Sequence, residues 1–118
     1  QYNFYSNTIE SNIKFIANKT NTSNICVTLG GDGAILFMDN AFYKSSGYPV
    51  EVKDTVGAGD SFLASLINEI LNNKNPQDAL EFACAVGAMV AASHGANPKL
   101  SKKDIYSFIN DINLGEKE

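Results

Sequence analysis

Arginine and tryptophan are absent from this 118-residue chain, and histidine occurs once, at position 94. The nine basic residues are therefore all lysines, set against thirteen acidic residues, and the formal charge is -4. An acidic chain is poorly suited to nucleic acid, whose recognition surfaces are basic. Without a guanidinium group to clamp a phosphate, any phosphate would be bound by lysines, backbone N–H groups or a metal ion.

Long apolar runs, secretion signals and lipidation motifs are also missing, which predicts a cytoplasmic protein that does not interact with membranes. The length fits one domain, and 44% hydrophobic with 19% charged residues is typical of a globular chain. Cys26 and Cys84 each stand in an apolar run, which favours reduced core cysteines over a disulfide. His94, without paired cysteines, offers no ligand set for structural zinc.

The first half of the chain predicts one helix and several strands. A helix is expected over residues 7–18, where apolar residues recur at helical spacing and Asn7 and Glu10 stand in capping-box relation. A β-branched run predicts a buried strand, and the glycine-rich residues 30–33 end it. The predicted extended segments are residues 25–29, 34–38, 41–44 and 48–52.

The second half predicts three helices. The first begins at Ala58 with a wide apolar face and stops at residues 72–74. Asn75 is the expected N-cap of the second, which is apolar nearly all round. Ser101 caps the third, and Gly115 is expected to end it. The apolar face of the first of these helices comprises Phe62, Leu63, Leu66, Ile67, Ile70 and Leu71.

The strongest indication of chemistry lies at residues 54–62, where two glycines lead directly into a helix. Glycines let the backbone approach a ligand, and the free N–H groups of a first helical turn form an anion site. Asp60 would repel a bound phosphate, but it could accept a proton from a hydroxyl group that attacks that phosphate. On these residues alone, a tight turn at Gly57 and Gly59 with Asp60 complementing the helix dipole remains an alternative.

Two other nucleotide motifs do not match. The P-loop requires a Lys-Ser or Lys-Thr pair after its second glycine, and the dinucleotide fingerprint requires glycine or alanine where Phe62 stands. Instead, Asp54-Thr55-x-Gly57-Ala58-Gly59-Asp60-x-Phe62 resembles the C-terminal signature of the ribokinase-like, or PfkB-type, carbohydrate kinases. Residues 28–33 resemble the ATP-loop element of that family, and residues 82–98 resemble its nucleotide-flanking helix and loop.

The resemblance implies an α/β fold. This fold is a three-layer α/β/α sandwich, of which the chain would be the C-terminal portion: a strand, a short β meander and then three helices. Residues 1–118 would form the ATP-binding and catalytic-base portion, and the N-terminal sugar-binding portion would be absent. The isolated piece is therefore expected to be inactive, with open strand edges that invite self-association.

The resemblance also assigns roles to single residues. Asp60 would be the catalytic base that takes the proton of a sugar hydroxyl group. The anion hole would be formed by the amides of Gly57, Ala58 and Gly59, together with that of Asp60. The implied ATP-binding residues are Thr28, Gly30, Gly31, Asp32, Gly33, Cys84 and Asn97. The implied ligands of a monovalent, potassium-like cation are Asp54, Val56, Val90, Ser93 and Gly95.

Two positions depart from the family pattern. Cys84 stands near the expected adenine site, where asparagine or histidine is usual, and could only pack against the ring. Lys99 stands where the cation set commonly has a small hydroxyl residue. His94 is interpreted as an exposed loop residue.

The implied activity is the Mg²⁺-assisted transfer of the γ-phosphoryl group of ATP to a sugar hydroxymethyl group, with K⁺ as a second cation. Residues 95–98 resemble the loop of fructokinase-type members, so fructose is the first choice of substrate. Sugar and ATP would be the partners, and the complete enzyme would be a homodimer. Two alternatives stay open: a non-catalytic nucleotide-binding module, and a kinase of the same family that acts on a nucleoside or a sugar phosphate. The absence of arginine disfavours a phosphorylated substrate.

Overall fold

The computed structural model describes the backbone of residues 2–93 and 100–117, and the side chains of residues 9–93 and 100–112. A 3-10 turn at Gly30–Asp32 follows the first strand. The helices and strands, in chain order, are α1 (Tyr2–Thr20), β1 (Ile25–Thr28), β2 (Ala34–Met38), β3 (Ala41–Ser45), α2 (Ala58–Leu71), α3 (Pro76–Ala91) and α4 (Lys102–Lys117).

The three strands form an antiparallel meander in the order β1-β2-β3. The central strand β2 is covered on both faces. Ile35 and Phe37 pack on one face with Ile13 of α1, whereas Ala34 and Leu36 pack on the other face with α2 and α3. Because alternate residues of a strand point to opposite faces, a strand covered on both sides is a continuous apolar run. The result is the three-layer α/β/α arrangement.

Helix α3 occupies the centre of the second layer. Its small residues Ala79 and Ala83 are fully buried and let Phe62 and Leu66 of α2 approach closely. Its other side packs against Ile105 of α4. A helix with neighbours on most sides must be apolar nearly all round, as the sequence predicts for this segment.

The predicted helix boundaries are confirmed around α3 and at the start of α4. Asn75 Oδ1 accepts a hydrogen bond from the Asp78 amide at 2.8 Å. At α4, the Asp104 amide donates to Ser101 Oγ at 3.1 Å, and the Ser101 amide donates to Asp104 Oδ2 at 3.2 Å. Asn73 adopts a left-handed backbone with φ 63° just after α2 ends. These are local backbone requirements that polar side chains satisfy, so they can be read from the sequence.

Two predicted helix boundaries and one predicted strand are wrong. Helix α1 begins at Tyr2, so the capping box expected at Asn7 lies inside a helix, and Glu10 pairs instead with Lys44 of β3. Helix α4 runs through Gly115 to Lys117, because a single glycine costs a helix only about 1 kcal/mol and does not by itself end it.

Residues 48–52 form no strand, which corrects the third prediction. Gly47 turns the chain away from β3 with φ 80°, and Pro49 has no amide hydrogen for a strand ladder. The segment lies along a cavity instead.

No helix in the described ranges is both long and apolar enough to cross a membrane.

Candidate functional site

A cavity of about 340 Å³ lies where the turn after β1, residues 47–55, and helices α2 and α3 meet. It brings together the two glycine-bearing segments that the sequence singles out, although they are far apart in the chain. The residues expected from the sequence that line it are Thr28, Gly30, Gly31, Gly33, Ala58, Gly59 and Cys84. The lining residues to which the sequence assigns no role of their own are Gly47, Tyr48, Val50, Val52, Thr55, Phe62, Gly87, Ala88 and Ala91.

A second recess of about 480 Å³ lies beside the C-terminal end of α1 and the turn between β2 and β3. Lys14, Asn18 and Asp39 are among its lining residues. None of the motif residues contributes to it, so the chemistry expected from the sequence belongs to the smaller cavity.

Gly59 has no role in the packing of the fold. It lies in the first turn of α2, and a Cβ atom added there would meet no atom within 4 Å. Its φ is not positive, so any residue could adopt its backbone. Glycine costs a helix up to about 1 kcal/mol relative to alanine. A glycine kept at that cost leaves bare backbone on the cavity wall, and Gly31, which also lines the cavity, has the same open surroundings.

Gly33 and Gly47, in contrast, are required by the fold. A Cβ atom on Gly33, which has φ 96°, would lie 1.9 Å from the carbonyl oxygen of Ser45. A Cβ atom on Gly47, which has φ 80°, would lie 3.1 Å from the carbonyl oxygen of Gly31. Both glycines let the turn after β1 lie against the end of β3 and so fix one wall of the cavity.

The start of α2 presents backbone amides that the fold leaves unused. Gly57 is the N-cap, in a left-handed conformation with φ 82°, and its carbonyl accepts from the Ser61 amide at 2.9 Å. Within the described part of the chain, the amides of Gly57, Gly59 and Asp60 have no acceptor. The amide of Ala58, which the resemblance places in the same set, donates to the Thr55 carbonyl at 3.1 Å. Unused amides at a helix N-terminus favour an anion.

The Asp60 side chain is exposed in the first turn of α2 and, among the described residues, has no hydrogen bond or ion pair. Asp60 and Gly57 do not line the cavity, but each is next in the chain to a residue that does, Gly59 and Ala58. A carboxylate at this end of a helix also complements the helix dipole.

Asp54 is fixed at the entrance to the motif. Its amide and that of Lys53 both donate to the Ala91 carbonyl, at 3.0 and 2.8 Å, which ties this segment to the C-terminal end of α3. Its Oδ1 accepts from the Val56 amide at 2.9 Å. The Val90 carbonyl, another ligand implied for a cation, accepts from the Ser93 amide at 3.1 Å.

Glu81 of α3 organises the cavity wall around residues 45–48. Its Oε1 accepts from Ser45 Oγ at 2.6 Å and from the Tyr48 hydroxyl at 3.3 Å, and its Oε2 accepts from Gln77 Nε2 at 3.2 Å. The ring of Tyr48 also stacks against Phe108 of α4. The sequence reasoning missed this network. Its only signal is one glutamate among the apolar residues that follow the first turn of α3.

The two thiols near the cavity are kept neutral. Burial, with the nearby Cys84 as a lesser cause, raises the pKa of Cys26 to about 11. Burial also raises the pKa of Cys84, although a hydrogen bond with Ser45 opposes the change. A neutral, buried thiol is a poor nucleophile, so Cys84 contributes apolar surface to the cavity.

The remaining residues of the predicted site fall into two groups. Asp32 belongs to the 3-10 turn but does not line the cavity, and its amide donates to the Leu29 carbonyl at 3.0 Å. Outside the described residues lie His94, Gly95, Asn97 and Lys99.

The fold and the cavity define an α/β protein in which two glycine-bearing turns meet at a helix N-terminus, an arrangement suited to an anionic ligand. The family model described as pfkB family carbohydrate kinase matches residues 3–103. The chain belongs to this family.

Two similar proteins show the sequence identity of the chain to its relatives and the share of each relative that it covers. An ATP-dependent ribose-1-phosphate kinase from Halopiger xanaduensis is 29% identical over 103 residues, which cover 87% of this chain and 35% of that protein. A fructokinase from Solanum tuberosum is 32% identical over 83 residues, which cover 64% of this chain and 26% of that protein.

Solved structures confirm the ribokinase-like fold. An E. coli protein provisionally named ribokinase II, solved in complex with ATP and Mg²⁺, is 30% identical and matches with a TM-score of 0.71. The match covers 75% of this chain and 29% of that protein. The chain thus spans about a third or less of the length of the relatives it matches.

Proposed function

We propose that this chain is the ATP-binding and base-carrying part of a kinase that transfers the γ-phosphoryl group of ATP to a sugar hydroxymethyl group. The observation that carries the proposal is the cavity whose lining includes bare backbone at both Gly31 and Gly59. Neither glycine is needed for packing, and both leave room for a phosphate-bearing ligand. The E. coli relative bound to ATP and Mg²⁺ supports ATP as that ligand.

The cavity has two chemically different regions that suit the two ends of a nucleotide. Val50, Cys84 and Ala88 provide apolar surface that would pack against a base. The glycine-bearing turn and the start of α2 provide backbone N–H groups, which would bind phosphates without any arginine.

Asp60 would act as the general base. The sugar hydroxyl oxygen would form a bond to the γ-phosphorus while the bond from that phosphorus to the bridging oxygen breaks, releasing ADP. The hydroxyl proton would pass to the Asp60 carboxylate. The amides of Gly57, Gly59 and Asp60 would donate to the oxygens of the transferred group, where negative charge is concentrated.

Mg²⁺ and K⁺ would bind at different sites. No cluster of three acidic, cysteine or histidine side chains occurs in the described residues, so Mg²⁺ would be bound mainly through the ATP phosphates, whose charge it would neutralise. K⁺ would fit beside Asp54, whose tie to the Ala91 carbonyl places it at the negative end of α3. The remaining ligands implied for K⁺ are the carbonyls of Val56, Val90, Ser93 and Gly95.

Two acceptor classes have support. Fructose follows from the loop at residues 95–98 and from the Solanum relative. A phosphorylated sugar is the second candidate, because the Halopiger relative is a ribose-1-phosphate kinase. The absence of arginine from this chain favours the unphosphorylated sugar.

The binding half of the proposal is tested by titrating the 118-residue chain with Mg·ATP in a calorimeter. Gly59→Val should weaken binding by about tenfold or more, because the side chain fills the cavity wall. Ala64→Val is the matched control, since it places the same residue at an exposed position of the same helix. A Gly59→Val chain that binds Mg·ATP as the wild type does would contradict the proposed site.

The catalytic half is tested by incubating the complete kinase with Mg·ATP and a panel of sugars, and measuring ADP. Sugar-dependent release of ADP is expected. Tight ATP binding without any such release would identify the chain as part of a non-catalytic nucleotide-binding module.

A further inference from the structure

Glu69 is a buried carboxylate on the apolar face of α2. Its side chain is only 1% exposed, and it follows the buried Leu66 by three residues, which places both on the same side of the helix. A buried charge is costly unless an opposite charge or a hydrogen-bond donor compensates it. Within the described ranges the partner of this carboxylate is Lys102, whose Nζ lies 3.4 Å from Glu69 Oε2.

The position of Lys102 is not explained by its own helix. Lys102 is the first residue of α4, where the positive end of the helix dipole disfavours a cation. Its side chain is 57% exposed, so burial of the aliphatic stem does not account for the residue either. What the lysine does contribute is the contact with Glu69, which joins the start of α4 to α2.

Two further ion pairs in the described part of the chain differ from this one. Lys44 pairs with Glu10, and Lys53 pairs with Glu51. The carboxylate side chains of those pairs are 29% and 82% exposed, so water can solvate them when the lysine is lost. Of the three pairs, only the one at Glu69 would leave a buried charge without compensation.

Helix α4 reaches the cavity through Phe108. The ring of Phe108 lies 5.7 Å from the ring of Tyr48, which lines the cavity and donates a hydrogen bond to Glu81. The same helix buries Ile105 against Val86 and its neighbours on α3. Apolar packing is not directional, so it leaves the rotation of a helix less well fixed than a charge-assisted hydrogen bond does. The ion pair therefore selects among the arrangements of α4 that bury Ile105.

We propose that Lys102 and Glu69 are positioning residues for the nucleotide cavity. Their ion pair fixes α4 against α2, which holds Phe108 against Tyr48 and so sets the wall formed by residues 47–50. Neither charged residue lines the cavity, so both act on a ligand through that wall. The predicted effect on Mg·ATP binding rests on the proposed function, whereas the placement of Tyr48 can be measured without a nucleotide.

The first test follows the ring of Tyr48 by proton NMR, with its signals assigned by comparison with Tyr48→Phe. Lys102→Met removes the charge and keeps an unbranched side chain. The Tyr48 ring signals should shift in this variant, because Phe108 and its ring current move relative to Tyr48. Lys103→Met is the matched control, since it removes the same charge from the next, exposed residue of α4. Unchanged Tyr48 signals in Lys102→Met, or equal shifts in both variants, would overturn the proposal.

The second test is calorimetric titration with Mg·ATP, made at a temperature where urea denaturation shows each variant to be folded. Lys102→Met should weaken binding about three- to tenfold, the range in which residues remote from a ligand modulate its affinity. Lys102→Arg keeps the charge and should restore wild-type affinity, and Lys103→Met should not differ from the wild type. A Lys102→Met chain that loses stability but binds Mg·ATP as tightly as the wild type would overturn the positioning role.

A double-mutant cycle identifies the route of the effect. If the ion pair acts through Phe108, Lys102→Met should change the affinity for Mg·ATP little further in a chain that already carries Phe108→Leu. If the fold-changes of the two single variants multiply in the double variant, the ion pair does not act through Phe108 and the proposal is overturned.

Failure of the positioning role and failure of the proposed function give different results. If the Tyr48 signals respond to Lys102→Met but the wild-type chain does not bind Mg·ATP, the proposed function fails and the placement of Tyr48 by the ion pair stands. If the wild type binds Mg·ATP and neither the Tyr48 signals nor the affinity respond to Lys102→Met, the positioning role fails alone.

Discussion

At Gly59, the effect of a substitution on Mg·ATP binding can be separated from its effect on the free energy of unfolding. Because its surroundings are open and its backbone is helical, Gly59→Ala should raise the free energy of unfolding by up to about 1 kcal/mol. The same methyl group should weaken binding of Mg·ATP, since it projects into the cavity. Urea denaturation and calorimetric titration of one preparation measure both effects.

Gly33→Ala provides the contrast to that variant. Its Cβ atom would lie 1.9 Å from the Ser45 carbonyl oxygen, so this change should destabilise the chain by more than about 1 kcal/mol. A Gly59→Ala variant that is destabilised to a similar extent would show that Gly59 serves packing after all.

The thiol of Cys26 predicts a pH dependence of stability. Its pKa rises on folding from 9.0 to about 11, mainly through burial. Because the folded value is the higher one, the stabilisation from the neutral thiol is complete below about pH 9 and is lost as the pH rises towards 11.

Comparison of the wild type with Cys26→Ala isolates the contribution of the Cys26 thiol to stability, because the lysines and tyrosines titrate in both proteins. The free energy of unfolding should fall less steeply for Cys26→Ala than for the wild type between about pH 9 and 11. Equal slopes in denaturation series over that range would contradict the assignment.

Contacts between elements shape the cavity more than local sequence does. The network on Glu81 joins α3 to the end of β3, with Ser45 Oγ 2.6 Å from the carboxylate. Glu81→Ala would leave the buried Ser45 hydroxyl without this acceptor, at a cost of about 1–3 kcal/mol, and would loosen the wall formed by residues 47–50.

The matched variant is Glu81→Gln, which keeps an acceptor oxygen. Thermal unfolding and Mg·ATP titration should show a loss of stability and of affinity for Glu81→Ala, with both largely retained in Glu81→Gln. If the two variants behave alike, the hydrogen bond from Ser45 has no part in holding the wall.

The sequence predicts those elements whose ends are set by their own residues. Asn75 and Ser101 cap α3 and α4 because their oxygens accept nearby amides, a requirement that does not depend on the rest of the fold. Residues 48–52 were wrongly predicted as a strand for the opposite reason. Their apolar pattern reflects contact with the cavity, which exists only once α2 and α3 are in place.

The same distinction between local residues and contacts across distant segments applies to the candidate site. Gly31 and Gly59 can be singled out from their motifs, and both glycines line the cavity. Tyr48 and Glu81 could not, because their roles arise from side chains that meet across distant segments. A lone glutamate in an apolar helix is too weak a pattern to indicate a partner.

At the scale of the whole molecule, the chain is a family member that spans about a third or less of the length of its relatives. It contains the cavity and Asp60. ATP binding should therefore be a property of the chain itself, and sugar phosphorylation a property of the complete kinase.

The proposed activity depends most directly on the carboxylate of Asp60. Asp60→Asn keeps the size of the side chain and removes its capacity to accept a proton. In the complete kinase the turnover number should fall by about 10²–10⁴, the range that a general base contributes, while the dissociation constant for Mg·ATP stays unchanged. A turnover number close to that of the wild type would show that Asp60 is not the general base.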